Sequence, residues 1–159
     1  MFFRNVGKRY THLLDTYPLL TKCTSAAAIN MFGDLIAQCL ESNIKHQPFS
    51  FNAKRSLQFG TMGFFYVAPM LHLNYAKILQ AIVPSGTKFE VLKKLAFDQT
   101  VFASSMMVGF FVLINILEGN GALKGLNDVK AKFWTTMRVN WQLWIPASAI
   151  NFAVMPVKF

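Results

Sequence analysis

The run from Trp134 to Pro156 constrains this chain most. It is apolar enough to enter a bilayer, yet Asn140, Trp141, Trp144, Ser148 and Asn151 lie inside it. Polar amides at that depth are costly unless another helix or a cavity satisfies them. The segment therefore fits a helix that turns one face to protein or to an aqueous path, and not only to lipid.

The rest of the chain is of the same kind. Of 159 residues, 53% are hydrophobic, 14% are charged and 16 are Phe; mean hydropathy is +0.34. Ordinary soluble chains carry about 25% charged residues. A soluble domain this small would struggle to hide so much apolar surface, whereas a membrane protein need not. Four segments approach the roughly 20 residues that a bilayer core demands: about Leu19 to Leu40, opening after Pro18; Ala53 to Val83, with a kink expected at Pro69; Phe89 to Leu117, ended by Glu118-Gly119-Asn120-Gly121; and Val129 to Val157, with Pro146 interrupting the ladder. Residues 41–52, 84–88 and 118–128 read as loops from their Pro, Gly, Asn and Ser content. The expected fold is all-α, a single domain over 1–159. It is an integral membrane bundle of about four transmembrane helices with a basic, amphipathic N-terminal interfacial segment.

The net charge of +9 would point to nucleic acid in a soluble protein. Here the bases sit between apolar segments, at Lys45, Lys54 and Arg55, at Lys88, Lys93 and Lys94, and at Lys124, Lys130 and Lys132. That is where membrane proteins meet anionic headgroups. The expected partner is thus a bilayer with anionic lipid and no nucleic acid. Lys and Arg divide nearly evenly between the two sides of a four-span chain, so charge favours neither orientation. The segment Met1 to Tyr10 has the basic bias of a mitochondrial presequence and is read as retained. No secretory signal or C-terminal Ser-Lys-Leu accompanies it. Cys23 and Cys39 fall on one helix, roughly 24 Å apart, too far to pair.

Three sets of residues carry information. Asn30, Asp34 and Gln38 align at i, i+4 and i+8. An acid in mid-span is either functional or the half of an interhelical ion pair. Lys94, Asp98 and Ser105 share a second face, with Gln99 beside them. Glu90–Lys94 and Lys94–Asp98 are possible i, i+4 pairs, and Arg55 and Arg138 are the cations expected to reach Asp98. On the last helix, Asn140, Trp144, Ser148 and Asn151 fall within about 80° of one another, either lining a path or forming a hydrogen-bonded seam. The pairs Gly33 with Ala37, Ser56 with Gly60, and Ser105 with Gly109 have the spacing that lets helices approach closely in lipid. The candidate pore-lining or interhelical polar residues are thus Asp34, Gln38, Arg55, Asp98, Gln99, Asn140, Trp144 and Asn151. His12, His46 and His72 lack metal spacing. There is no nucleophile elbow or phosphate loop, and the expectation is no enzyme, no metal and no cofactor.

Taken in order, Gly33-Asp34-Leu-Ile-Ala-Gln38, then Arg55, Gly60, Pro69, His72 and Tyr75, then Lys94-Leu-Ala-Phe-Asp98-Gln99, Glu118-Gly119, Trp134, Asn140-Trp141-Gln-Leu-Trp144, Asn151-Phe152 and Pro156 resemble the Mpv-seventeen and twenty-two-kilodalton peroxisomal membrane protein family. The resemblance runs from about Tyr10 to Pro156. It implies a small helical protein of the mitochondrial inner membrane or, alternatively, the peroxisomal membrane. It implies a small-solute channel or a role in metabolite homeostasis, with no cofactor. The chain departs from the family pattern at Asn74, where Trp is usual, at Ser104, at Ile145 before Pro146, and at Ser148. The pattern also continues past Pro156 into a further helix, whereas this sequence ends at Phe159; either the sequence is shortened or this member has lost that helix, and in the second case lipid or a partner protein is expected to cover that face. This supports the alternative of a non-transporting accessory subunit of a larger inner-membrane complex. A homo-oligomer is the expected assembly otherwise.

Overall fold

The computed structural model describes residues 2–154, with side chains described from residue 9 to residue 150. Every regular element among these residues is helical, as expected. The helices are α1 (Phe2–Thr16), α2 (Pro18–Ile44), α3 (Ala53–Met62), α4 (Ala68–Leu73), α5 (Leu79–Ile82), α6 (Glu90–Phe97), α7 (Ala103–Leu117) and α8 (Ala122–Val154). Three π-turns, Gly63–Val67, Asn74–Ile78 and Asp98–Phe102, join α3 to α4, α4 to α5 and α6 to α7. The chain divides between Pro69 and Met70 into two compact units.

In the first unit, Pro18 occupies the first turn of α2, where its missing N–H costs nothing. Thr21 fastens the junction with α1, its hydroxyl donating to the carbonyls of Leu13 at 3.0 Å and Tyr17 at 2.8 Å. Asn52 caps α3 by accepting from the Arg55 amide at 3.0 Å, satisfying one of the donors that a helix start leaves free. The irregularity expected at Pro69 takes the form of a π-turn. The ring of a proline clashes with the carbonyl four residues earlier, and the wider turn before it lets the Ala68 amide bond the Gly63 carbonyl instead. Pro69 then falls in the first turn of α4.

The packing of α2 on α3 is closest at Gly63. A Cβ there would lie 2.6 Å from the Ala26 carbonyl oxygen and 2.9 Å from the Ala27 Cα. At Gly60 the neighbour is the movable Met31 side chain, 2.7 Å away. Gly33, expected to mark such a contact, has nothing within 4 Å and is exposed. Four-residue spacing identified the right helices and Gly60, but it marked the open Gly33 and missed Gly63.

In the second unit, Glu90–Leu117 forms one helix of 28 residues, and it alone among the described residues has both the length and the apolar composition to cross a bilayer. Lys22, Asp34 and Glu41 interrupt α2, and five charged residues from Lys124 to Arg138 interrupt α8. Residues 122–128, expected as loop, are helical. Gly119 and Gly121 end α7 at φ of +81° and +82°, and α8 starts at once. Gly125 lies inside that helix because its backbone rests on α7: a Cβ would be 2.7 Å from the Val112 Cα and 2.9 Å from the Phe111 oxygen. Asn115 adds a bond to Asp128 at 3.1 Å. The breaker-like composition of this stretch reflects a helix–helix contact. Pro146 does not end α8, which runs through it.

Candidate functional site

Each unit holds its own buried polar cluster. In the first, Asp34 and Ser56 are 2% exposed. The Asp34 Oδ2 accepts from Gln38 Nε2 and from Ser56 Oγ, each at 2.6 Å. Gln38 also exchanges bonds with the Asn52 backbone, its Nε2 donating at 3.2 Å and its Oε1 accepting at 2.8 Å. Asp34 Oδ1 has no hydrogen bond of good geometry, but Arg55 Nε lies 2.7 Å away and supplies the countercharge. The two terminal nitrogens of Arg55 grip Glu41 in a fork, at 2.9 and 2.8 Å. The planar guanidinium thus serves one buried and one half-exposed carboxylate at once. Asn30, aligned with Asp34 in sequence, turns back to the Ala26 carbonyl of its own helix at 2.8 Å.

Glu41 lies outside the apolar spans. Hydrogen bonding to Arg55 holds its carboxyl below the ordinary range. A carboxyl lowered on folding contributes stability above its unfolded value of about 4.3 and loses it as pH falls through the folded value. Glu41→Gln is therefore expected to flatten the acid limb of a stability-against-pH curve below about pH 4.3 and to lower stability at pH 7 by the same amount, a small one because the pair is partly solvated. Thermal melts between pH 3 and pH 7 check this.

The second cluster is built on two π-turns. Asn74 opens one and Asp98 opens the other, and they touch: Asn74 Nδ2 donates to Asp98 Oδ1 at 3.2 Å. Gln99 Nε2 donates to Asp98 Oδ2 at 2.8 Å, and the hydroxyls of Tyr75 and Ser148 also bond this carboxylate. From α8, Asn140 donates to Gln99 Oε1 at 3.4 Å and the Trp141 indole donates to the Gln99 carbonyl at 3.0 Å. Gln99 Nε2 is also 3.4 Å from Ser148 Oγ. Asn74 is 0% exposed, Asp98 4% and Gln99 6%.

Several expectations change here. Arg55 is not the cation for Asp98, since its nitrogens are taken by Asp34 and Glu41; Arg138 is exposed. Lys94 is almost wholly buried and pairs with Glu90 at 2.5 Å, not with Asp98. Asp98 makes no ion pair among the described residues. Ser105 does not share its face, and donates back to Val101 at 2.8 Å. The π-turn inserts a residue between them, and one extra residue rotates everything beyond it by roughly 100°. Trp144 keeps 51% of its surface exposed. Gln99 fills the space between Asn140 and Ser148, so the indole one turn along is left outside while Trp141 makes the bond. Asn151 lies outside the residues whose side chains are described. Asn74, Ser56, Trp141 and Glu41 belong to the clusters although none is among the eight candidate polar residues. The signal for Asn74 was an amide within the apolar stretch Met70 to Ile82.

An all-helical fold with a span-length apolar helix and buried amide–carboxylate clusters fits the class of helical membrane proteins. The comparisons agree. Residues 115–159 match the Mpv17 / PMP22 family. The chain is 30% identical to peroxisomal membrane protein 2 of Bos taurus over 98% of its own length and 80% of the relative's. It is 34% identical to PXMP2/4 family protein 2 of Dictyostelium discoideum, over 96% and 80%. It is 27% identical to mitochondrial inner membrane protein Mpv17 of Mus musculus, over 96% and 85%. This chain belongs to the Mpv17 / PMP22 family. No solved structure matches it.

Proposed function

We propose that this protein crosses its membrane with about four helices and acts there as a small-solute channel or in metabolite homeostasis, without catalysing a reaction. The membrane is the mitochondrial inner or the peroxisomal membrane, as for the named relatives; the basic N-terminal segment supports the mitochondrial one. Anionic lipid is the proposed partner of the basic loops, and a homo-oligomer is the proposed assembly.

The observation that carries this reading is Asp98. A carboxylate within an apolar span is expensive and marks a functional position by default. Asp34 has an ordinary explanation in Arg55, whereas Asp98 is held by neutral donors alone. Asp98→Asn in liposomes is expected to change solute flux or ion selectivity by about tenfold, the equivalent of ~1.4 kcal/mol at the barrier, with the fold retained. Unchanged flux and selectivity in a folded Asp98→Asn protein would count decisively against the reading.

The accessory-subunit reading draws on a different feature. Gln38 of α2 bonds Ser56 of α3, and Asn140 of α8 bonds Gln99, as in seams that fix packing. Native size after gentle detergent extraction separates the two. Migration with a large complex supports the subunit, and migration as a small oligomer supports the channel.

A further inference from the structure

Inside the second unit, α8 lies beside the span-length apolar helix. Residues 99–117 of that helix carry no charge and extend over about 28 Å, close to the thickness of a bilayer core. Gly125 rests on Phe111 and Val112, and the Trp141 indole bonds the Gln99 carbonyl at 3.0 Å. The two helices therefore run antiparallel, and residues 126–140 of α8 share the depth of the charge-free run. The outer face of this stretch is polar. At 100° per residue, Lys124, Asn127, Ala131, Thr135, Arg138 and Gln142 fall within about 80° of one another, and all six are exposed. Lys130 and Lys132 flank the stripe, about 60° to either side. The one acid in α8, Asp128, is engaged by Asn115 at 3.1 Å and by Lys132 at 3.4 Å. Neither Lys130 nor Arg138 has an ion-pair partner among the described residues.

Lipid tails do not cover such a face, because cations and side-chain amides exposed at membrane depth are costly. Snorkelling does not remove the cost. Side chains of a helix lean toward its N-terminus, which carries Arg138 toward the middle of the run and away from its Gln99 end. Thr135 is too short to reach either edge. On the reading that Glu90–Leu117 crosses the membrane, we propose that this face of α8 borders water there and favours anionic solutes. A wall of cations without free carboxylates raises the local concentration of anions, and Lys and Arg lining a pore select for them. The solute path thereby acquires a wall and a charge preference distinct from the Asp98 cluster. A partner helix bearing carboxylates would also satisfy Arg138, but it would shut water out from Thr135.

The test is thiol accessibility of the full chain in liposomes, with Cys23→Ser and Cys39→Ser as background and reagent present on both sides. Thr135→Cys is expected to react with membrane-impermeant methanethiosulfonates about tenfold faster than Val101→Cys, a position also exposed, at 52%, but on the apolar helix. The anionic sulfonate reagent is expected to outpace the cationic ammonium reagent by about tenfold, after correction for their rates with a free thiol. Arg138→Gln with Lys130→Gln is expected to abolish that preference. Where Thr135→Cys does not fold, Asn127→Cys on the same stripe takes its place. Labelling of Thr135→Cys no faster than of Val101→Cys, a preference for the cationic reagent, or a preference indifferent to Arg138→Gln with Lys130→Gln would each overturn the inference. Solute flux in the same liposomes separates it from the channel reading. Labelling as expected without flux sinks the channel alone, and flux without labelling sinks this face alone.

Discussion

Arg55→Met is expected to cost about 3 kcal/mol of stability, the range found when one partner of a buried pair is removed. Asp34 has a fully buried side chain, and Arg55 Nε at 2.7 Å is its countercharge. Gln38 and Ser56 already donate to the other oxygen at 2.6 Å each, so they cannot also take over the charge. Taking the guanidinium away leaves a fully buried carboxylate without its countercharge. The same substitution releases Glu41, but that group is 45% exposed and adds little. Asp34→Asn with Arg55→Met removes both charges and should recover most of the loss, because breaking a buried pair costs far more than replacing it. Denaturant or thermal unfolding of the four proteins in one detergent checks the cycle. A double variant no more stable than Arg55→Met alone would place the cost in lost packing of the arginine stem, not in the stranded charge.

Gly63→Val is expected to destabilise by about 3 kcal/mol, the upper end for inserting volume into a packed interface. The atoms that a Cβ would meet are backbone, the Ala26 carbonyl at 2.6 Å and the Ala27 Cα at 2.9 Å. Backbone cannot rotate aside as a side chain can, so α2 must move off the π-turn as a whole. Gly33→Ala is the control. With nothing within 4 Å, it should be neutral or stabilise by about 0.5–1 kcal/mol through helix propensity. The same chemical change, adding carbon at a helical glycine, thus has opposite signs at two positions of one unit. Melting temperatures of the purified variants measure both.

Much of this was legible from residue order. Helix type and most boundaries follow from apolar runs punctuated by Pro18, by Gly119 and Gly121, and by the polar linkers. The i, i+4 alignment of Asp34 with Gln38 indicated one side of the first cluster, and Asp98-Gln99 with Asn140 and Ser148 indicated most of the second. Partners were less legible. A sequence shows that a buried Asp needs a donor, but several basic residues compete for it, and reach decides among them. Arg55 reaches Asp34 from the first turn of α3, whose start Asn52 fixes by capping. The face of Ser105 was misread because ideal periodicity contains no π-turn, and Trp144 was placed in the seam that Trp141 occupies because angle alone takes no account of what fills the gap.

By itself the sequence determined an all-helical membrane chain, the carboxylates and amides that such a chain must satisfy, and its kinship with the Mpv17 / PMP22 family. Hydrophobic periodicity and desolvation cost are local properties, readable residue by residue. Only the tertiary structure decided that Asp34 is paired with Arg55 while Asp98 makes no ion pair among the described residues, that Gly63 and Gly125 are tight contacts and Gly33 is open, and that the Asn74 amide nitrogen reaches Asp98. Those outcomes depend on which helix faces which, and on three π-turns that shift the register between them.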